Sequence, residues 1–232
     1  MSISFNNVQK TENFFIKTYG PKSPLLKYYF RSFLDFIGIQ QPIEYYHSAK
    51  RLSFEAEVIE LWRKFNLNAP KLIKRNKKSL FLSHISGRTI SEIFQQKIDF
   101  KIVKCLFDDL NLRHQLAFKF QEPRLCHVDS NLRNILYADR EIFHVDFEMG
   151  RIYEDTNRWA MREITKLLIS LTDNLAHEKR VKLLRIFCNV YQEKQIIELI
   201  IKSKKNKRKN NSKEKYTLSN LVFDLSEVLN EN

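Results

Sequence analysis

The sequence predicts an α+β fold with two lobes, and two observations support this division. Short apolar segments bounded by turn residues, which favour strands, precede residue 83, with one amphipathic helix at residues 50–66 among them. Much of the later sequence carries apolar residues at three- and four-residue steps, which is typical of helices. We therefore expect an N-lobe over residues 1–82 and a helical C-lobe over residues 83–201. A basic tail and a terminal amphipathic segment would occupy residues 202–232.

Composition indicates a folded protein of ordinary size. The chain has 232 residues, of which 43% are hydrophobic and 18 are Phe, enough to bury a substantial core. Its three cysteines are scattered and form no C-x-x-C pair, which favours a reducing compartment. No apolar stretch has the length of a transmembrane helix, and the N-terminus lacks a signal-peptide core. We therefore expect a cytoplasmic protein.

The net charge of +13 is unevenly distributed along the chain. Residues 202–215 contain eight Lys or Arg against one Glu, a net +7, which leaves +6 for the rest. This polar, low-complexity tail favours a disordered or solvated segment over attachment to an anionic membrane. Because the tail lacks interleaved aromatic residues, we expect no specific nucleic-acid partner, whereas the remaining surplus favours anionic partners.

The N-lobe begins with a predicted hairpin over residues 3–19. Residues 3–5 form a weak first strand, turn residues follow, and Phe14–Tyr19 is a clear second strand that carries Lys17. An aromatic helix over residues 25–37 is expected next, either packed on the lobe or presented to a substrate or membrane. The favoured role for this helix is core packing.

The helix at residues 50–66 is the clearest in the chain. Its apolar stripe consists of Phe54, Val58, Leu61, Trp62 and Phe65. Two short strands at residues 71–73 and 79–82, joined by a basic turn, complete the N-lobe. In the C-lobe the pattern predicts one or two helices over residues 90–120 and further helices at 158–171, 178–201 and 218–229.

Three polar side chains mark the centre of the C-lobe. Asp129 follows a short predicted strand, Asn134 lies five residues later, and Asp146 comes after a predicted hairpin with strands at 135–137 and 142–145. This layout brings two carboxylates and one carboxamide to the same rim. Phosphoryl transfer uses such a set, because one carboxylate orients the attacking hydroxyl while oxygen ligands hold magnesium.

The spacing H-x-D-x-x-x-x-N followed by D-F resembles the catalytic and metal-binding loops of the protein-kinase-like superfamily. With the strings NIL and DFEMGR, the segment most resembles the lipopolysaccharide kinase family, bacterial enzymes that phosphorylate Kdo or heptose sugars of the inner core. The resemblance implies a bilobed protein-kinase-like fold with a shortened N-lobe and a helical C-lobe. It also implies ATP and Mg²⁺ as cofactors.

The same resemblance implies roles for the motif residues. Asp129 would orient the nucleophile, with His127 belonging to the same catalytic loop, and Asn134 and Asp146 would hold Mg²⁺. Glu148 stands where protein kinases carry Gly, and it is interpreted either as a further metal ligand or as a solvated acid.

Nucleotide binding is expected to involve the N-lobe and the connection between the lobes. Lys17 would contact the phosphates and pair with Glu55, for which Glu57 is the competitor. Residues 83–88 resemble the inter-lobe hinge, with Ser83 and Ile85 as the adenine contacts. No glycine precedes Lys17, so the Gly-rich loop that usually covers the phosphates is missing.

These observations predict ATP- and Mg²⁺-dependent phosphorylation of a hydroxyl. The resemblance implies a lipopolysaccharide inner-core sugar as the acceptor, with the enzyme peripheral on the inner face of the cytoplasmic membrane. Alternatives are a small-molecule phosphotransferase of the aminoglycoside or choline type and an atypical protein kinase. The missing Gly-rich loop also leaves open a kinase-fold binding module without catalytic activity.

Overall fold

The computed structural model describes residues 6–20, 48–149, 155–173, 175–203 and 217–230. These ranges contain seven strands and seven α-helices, and the chain divides into two compact units. Unit 1 is Met1–Ser86 with His144–Tyr153, and unit 2 is Gly87–Phe143 with Glu154–Asn232. The predicted α+β fold with two parts is confirmed, because unit 1 is small and rich in strands and unit 2 is mainly helical. The lobe boundaries predicted at residues 82 and 201 remain a prediction.

Unit 1 contains an antiparallel sheet of four strands in the order β1-β2-β4-β3. The strands are β1 (Asn6–Lys10), β2 (Phe14–Tyr19), β3 (Leu72–Arg75) and β4 (Ser79–Ser83). The first strand is a correction, because the sequence placed turn residues at Asn6 and Asn7. Asn6 pairs with Tyr19 in the register of the hairpin, so pairing with a strong neighbouring strand overrides the low β propensity of Asn.

The helix α1 (Ser48–Lys64) packs on this sheet, and the residues that it buries include charged ones. Trp62 and Phe54 are buried as predicted, whereas Leu61 and Phe65 are only half-buried. Arg51 and Glu55 are fully buried instead. A buried charge is costly unless it is paired, so the inner face of α1 needs partners from outside the helix.

Unit 2 begins with β5 (Arg88–Thr89) and two helices, α2 (Ile90–Gln96) and α3 (Phe100–Phe120). Thr89 and Glu92 form a capping box at the start of α2, and Asp99 caps α3. A 3-10 helix (Pro123–Leu125) then leads to Asp129. The short strand predicted before Asp129 is therefore absent from the described residues.

The predicted hairpin is formed by β6 (Ile135–Ala138) and β7 (Glu141–His144), with β5 on the other side of β6. Both turn residues, Asp139 and Arg140, have positive φ, as a tight two-residue hairpin turn requires. Gly87, which directly precedes β5, lies close to β6 because it has no side chain. A Cβ at this position would lie 2.8 Å from the Ala138 Cβ and the Tyr137 carbonyl oxygen.

Four further helices complete unit 2: α4 (Thr156–Thr172), α5 (His177–Val190), α6 (Lys194–Ser203) and α7 (Leu218–Asn230). The sequence predicted one helix over residues 178–201, but the helix is interrupted at Tyr191, between α5 and α6. The Tyr191 side chain is fully buried, and its hydroxyl bonds to His114 on α3. This tertiary contact overrides the local helical pattern.

Unit 2 also holds all three cysteines, which are free. Cys126 and Cys188 are buried, and Cys105 is half-buried.

Among the described residues, no helix is long and apolar enough to span a membrane. The predicted aromatic helix at residues 25–37 and most of the basic tail lie outside the described residues.

Candidate active site

One candidate cluster surrounds a buried lysine in unit 1. Lys17 and Tyr19 are buried and lie two residues apart on β2, with a half-buried residue between them, so both side chains point from one face of the sheet. The Lys17 Nζ lies 2.6 Å from the Glu55 Oε2, and the Tyr19 hydroxyl donates to the same oxygen at 2.5 Å. Lys17 and Glu55, which the sequence analysis expected to form a pair, are therefore in contact. Glu57, the competitor, is exposed on α1.

Lys17 also contacts the acidic turn that follows β7. Its Nζ lies 2.5 Å from the Asp146 Oδ1 and 3.8 Å from the Glu148 Oε2. Burial alone would lower the pKa of Lys17, but the three surrounding carboxylates raise it well above its ordinary value. Lys17 therefore stays protonated at neutral pH. Burial raises the pKa of Glu55, and the Lys17 ammonium opposes that shift.

Asp146 sits in an unusual backbone conformation. Its φ is 66°, in the left-handed region that non-glycine residues adopt rarely and Asp tolerates better than most. The next residue, Phe147, is buried against Trp62 of α1, with ring centroids 4.6 Å apart. This ring contact fixes the turn on α1 while the Asp146 side chain keeps 38% of its surface exposed. The turn therefore presents a carboxylate to solvent beside Lys17.

Glu148 is held by buried partners. The Arg51 Nη1 lies 2.8 Å from the Glu148 Oε2, and the Asn6 side-chain amide donates to the same oxygen. Arg51 also stacks near Tyr19, with the guanidinium carbon 5.7 Å from the ring centroid. Ligand atoms of Glu55, Asp146 and Glu148 lie within 4.8 Å of one another, a spacing that suits a cation. Of these three carboxylates, Asp146 is much the most exposed.

A separate candidate cluster lies in unit 2, in the loop from Asp129 to Asn134. The Asn134 Nδ2 donates to the Asp129 carbonyl at 3.0 Å and to the Asp129 Oδ2 at 3.1 Å. The loop is further held by a hydrogen bond from the Ser91 amide to the Leu132 carbonyl. Since its amide nitrogen is engaged by Asp129, Asn134 offers its amide oxygen as the atom that could bind a cation.

A third residue joins this loop without any signal in the motif. The Lys166 Nζ on α4 forms an ion pair with the Asp129 Oδ1, and 42% of the Lys166 side chain is exposed. Burial lowers the pKa of the Lys166 ammonium. Asp129 is thus held between a carboxamide and an ammonium.

The placement of α4 follows from a buried network below the loop. The Glu163 Oε2 accepts from the His127 backbone amide at 2.6 Å, and the Arg113 Nη2 lies 2.8 Å from the Glu163 Oε1. The His114 Nε2 lies 3.0 Å from the Glu163 Oε2. Although burial opposes it, Arg113 and His114 hold the pKa of Glu163 well below its ordinary value. Glu163 therefore stays ionised, and Lys166 follows it by nearly one helical turn.

His127 is buried within the same region, with 2% of its surface exposed. Its backbone amide is bound to Glu163, which positions the residues just before Asp129. The geometry favours a positioning role for His127. Its assignment to the catalytic set remains a prediction.

The two predicted adenine contacts differ in availability. The Ser83 amide already donates to the Lys71 carbonyl at 2.8 Å, and the Ser83 hydroxyl accepts from the Lys71 amide. Ile85 lies in the segment between β4 and β5 and is half-buried. Among the described residues, its backbone has no hydrogen-bond partner. Ile85 is therefore the better candidate for an adenine contact.

Sequence reasoning assigned no role to three residues that shape these clusters. Tyr19 carried a usable signal, since it lies two residues after Lys17 on the same strand face. Arg51 precedes Glu55 by four positions on α1, but its partner Glu148 lies 97 residues away, so helical spacing does not show the pair. Lys166 had no signal, because 37 residues separate it from Asp129 and only the tertiary fold brings them together.

No protein-family model matches the chain, and the comparison with curated proteins found no match. Among solved structures, 209 chains are similar to it. One is an ethanolamine kinase from Plasmodium vivax, which is 11% identical over 84% of this chain and 70% of the other, with a TM-score of 0.49. A TM-score at this level supports no inference about function, so the roles of the residues rest on the geometry of this chain.

Proposed function

We propose that this protein is an ATP- and Mg²⁺-dependent phosphotransferase that acts on a hydroxyl. The observation that carries the proposal is the buried Lys17 ammonium, held by Glu55 and in contact with the more exposed Asp146. A cation fixed in this way suits a phosphate group, because Glu55 holds the ammonium and Tyr19 holds the Glu55 carboxylate. Lys17 would bind the phosphates and Ile85 the adenine.

The available oxygen donors fit magnesium. Asp146 would supply its partly exposed carboxylate and Asn134 its amide oxygen, both hard ligands of the kind that Mg²⁺ prefers. Bound Mg²⁺ would neutralise phosphate charge. We assign Asp146 and Asn134 to the metal set and leave Glu148 out, because its Oε2 is engaged by Arg51 and Asn6.

Asp129 has the position of a general base. One of its carboxylate oxygens accepts from Asn134, which orients the group, and the other faces Lys166. In the proposed reaction Asp129 accepts the proton of the acceptor hydroxyl as the oxygen attacks the terminal phosphate. His127 and Glu163 act through the backbone to hold this loop in place.

For the acceptor we propose a lipopolysaccharide inner-core sugar, met at the inner face of the cytoplasmic membrane. Support comes from the strings NIL and DFEMGR and from the basic surplus outside the tail, which favours an anionic partner. A different small-molecule hydroxyl, or a protein hydroxyl, would use the same residues of the chain.

One observation favours a second candidate, a nucleotide-binding module without catalysis. The β1–β2 turn contains no glycine, and the Thr11 amide and hydroxyl both donate to the Phe14 carbonyl. The Phe14 amide in turn donates to the Thr11 hydroxyl, so this turn is closed on itself. It therefore has few amides left to cover phosphates.

A single experiment separates the two functions. The purified chain is incubated with Mg·ATP and either a lipopolysaccharide core acceptor or no acceptor, and mass spectrometry detects phosphorylated products. Isothermal titration with Mg·ATP is run beside it. A phosphorylated acceptor supports the kinase, and a phosphorylated chain supports a protein kinase. ATP binding without any product supports the module, and no binding contradicts both.

A further inference from the structure

Basic residues form a row along α4 that ends at Asp129. Arg158, Arg162 and Lys166 follow one another at intervals of four, so they lie along one side of the helix. Arg158 is exposed, and Arg162 and Lys166 are half-buried. The acid of this helix, Glu163, is fully buried and bound to Arg113. The row therefore places positive charge along this side of α4, with Lys166 in contact with the loop.

The end of this row lies beside the group that would orient the acceptor. Lys166 contacts the Asp129 carboxylate directly, so any substituent next to a hydroxyl bound at Asp129 would lie close to the ammonium. The loop itself adds Arg133, which is exposed, and residues 127–134 contain no acid besides Asp129. Lys166 and Arg133 thus contribute positive charge to the Asp129 loop.

We propose that unit 2 binds an acceptor that carries a carboxylate or phosphate group beside the hydroxyl to be phosphorylated, with Lys166 as its counterion. The inference rests on the proposed phosphotransferase function and specifies its substrate class. Acceptors that carry an ammonium group, such as amino alcohols and amino sugars, would meet like charge at Lys166 and bind poorly.

The proposal also gives the Lys166–Asp129 ion pair a role in the reaction. When the acceptor anion binds, Lys166 exchanges Asp129 for the new anion, which leaves the Asp129 carboxylate free to accept a proton. The acceptor O–H bond then breaks and its proton passes to Asp129. The oxygen forms a bond to the terminal phosphorus, while the bond to the bridging oxygen breaks and ADP leaves with the electron pair. Lys166 remains protonated throughout.

The test measures binding without nucleotide, so that it does not depend on catalysis. Four probes that share a hexose ring are titrated into the protein and followed by NMR: glucuronate, glucose 6-phosphate, glucose and glucosamine. We expect at least one anionic probe to bind about tenfold more tightly than glucose, and glucosamine to bind least. The two anionic probes distinguish a carboxylate acceptor from a phosphate acceptor.

Variants test whether Lys166 causes the preference for anionic probes. Lys166→Met should remove the tenfold preference, and Lys166→Glu should reverse it in favour of glucosamine. Lys179→Met is the matched control, since Lys179 is exposed on α5 of the same unit and its loss changes the net charge equally. This control should keep the preference of the parent.

Failure of this inference can be told from failure of the proposed function. If the parent shows no preference for an anionic probe, or if Lys166→Met retains the preference, the inference is overturned even when Mg·ATP binds and turns over. If Mg·ATP does not bind while the charge preference and its loss in Lys166→Met are observed, the anion site stands and the phosphotransferase is wrong.

Discussion

The Arg51 guanidinium and the Glu148 carboxylate form a buried ion pair in unit 1, with 2.8 Å between Nη1 and Oε2. Arg51 lies near the start of α1, and Glu148 lies two residues after Asp146 in the acidic turn. The pair therefore ties the turn that carries Asp146 to the helix that carries Glu55. It also explains a carboxylate at a position where the resemblance leads one to expect Gly.

Replacement of Glu148 by Gln should destabilise the protein without changing the metal requirement. The variant leaves the Arg51 charge buried without its anion, which costs about 3 kcal/mol of unfolding free energy. Urea unfolding measures this loss, and Glu60→Gln, on the exposed face of α1, is the control that should show almost none. A weaker Mg²⁺ dependence of ATP binding in Glu148→Gln would restore Glu148 as a metal ligand.

Lys17 and Glu55 should be energetically coupled in nucleotide binding. Lys17→Met removes the phosphate cation and should weaken Mg·ATP binding at least tenfold, about 1.4 kcal/mol. Because Glu55 acts by holding Lys17, the double variant Lys17→Met/Glu55→Gln should bind ATP little worse than Lys17→Met alone. Titration calorimetry on the parent, both single variants and the double variant measures the coupling.

Two results would contradict this pairing. Strictly additive losses would show that Glu55 does not act through Lys17. A loss in Glu57→Gln as large as in Glu55→Gln would point to the exposed glutamate instead, although it lies outside the buried cluster.

Asp129 and Asp146 should fail in different ways. Asp129→Asn should leave Mg·ATP affinity within about twofold and lower turnover by roughly 10²–10⁴, because the carboxylate acts on the acceptor hydroxyl. Asp146→Asn should weaken Mg·ATP binding itself, and Asn tolerates the positive φ at this position. Binding and turnover are measured on each variant. Equal ATP affinity and equal activity in both would remove the two assignments.

Stability should fall in mild acid because of His114. Burial lowers the pKa of His114 below its ordinary 6.5, so the unfolded chain takes up a proton at higher pH than the folded chain does. The stabilisation is therefore complete above pH 6.5 and is lost as the pH falls below it, with a slope of at most about 1.4 kcal/mol per pH unit. Urea unfolding between pH 7.5 and pH 5.5 measures it.

A matched pair of variants tests the source of this slope. His114→Gln should flatten the dependence between these pH values, whereas His84→Gln, at a half-exposed histidine of unit 1, should keep it. Glu163 adds a separate loss in the same direction at lower pH, since its pKa is held below its ordinary value of 4.5. An unchanged slope in His114→Gln would assign the acid sensitivity to other groups.

The parts of the fold that could be predicted from sequence are those fixed by local pattern. The strand with Lys17, the helix with Glu55 and the hairpin before Asp146 all follow from apolar periodicity and turn residues. The start of β1 and the break at Tyr191 could not be predicted, because hairpin pairing and a buried hydroxyl contact decide them.

The candidate site residues also differ in how far they could be predicted from sequence. Motif spacing indicated Asp129, Asn134 and Asp146, and their roles remain predictions. The charge state and the partners of each group depend on residues distant in sequence, such as Lys166 beside Asp129 and Arg51 beside Glu148. A spacing rule contains no information about such contacts, so they require the folded chain.

The distribution of cysteines allows thiol alkylation to report on the opening of one unit alone. All three thiols belong to unit 2, and unit 1 contains none. Burial raises the pKa of Cys188 to about 11 and that of Cys126 well above its ordinary value, so both thiols resist alkylation while their surroundings stay closed. A thiol reagent therefore records the opening of unit 2 and is silent about unit 1. The alkylation rates of Cys126 and Cys188, compared with global unfolding, would show whether the two units open together or independently.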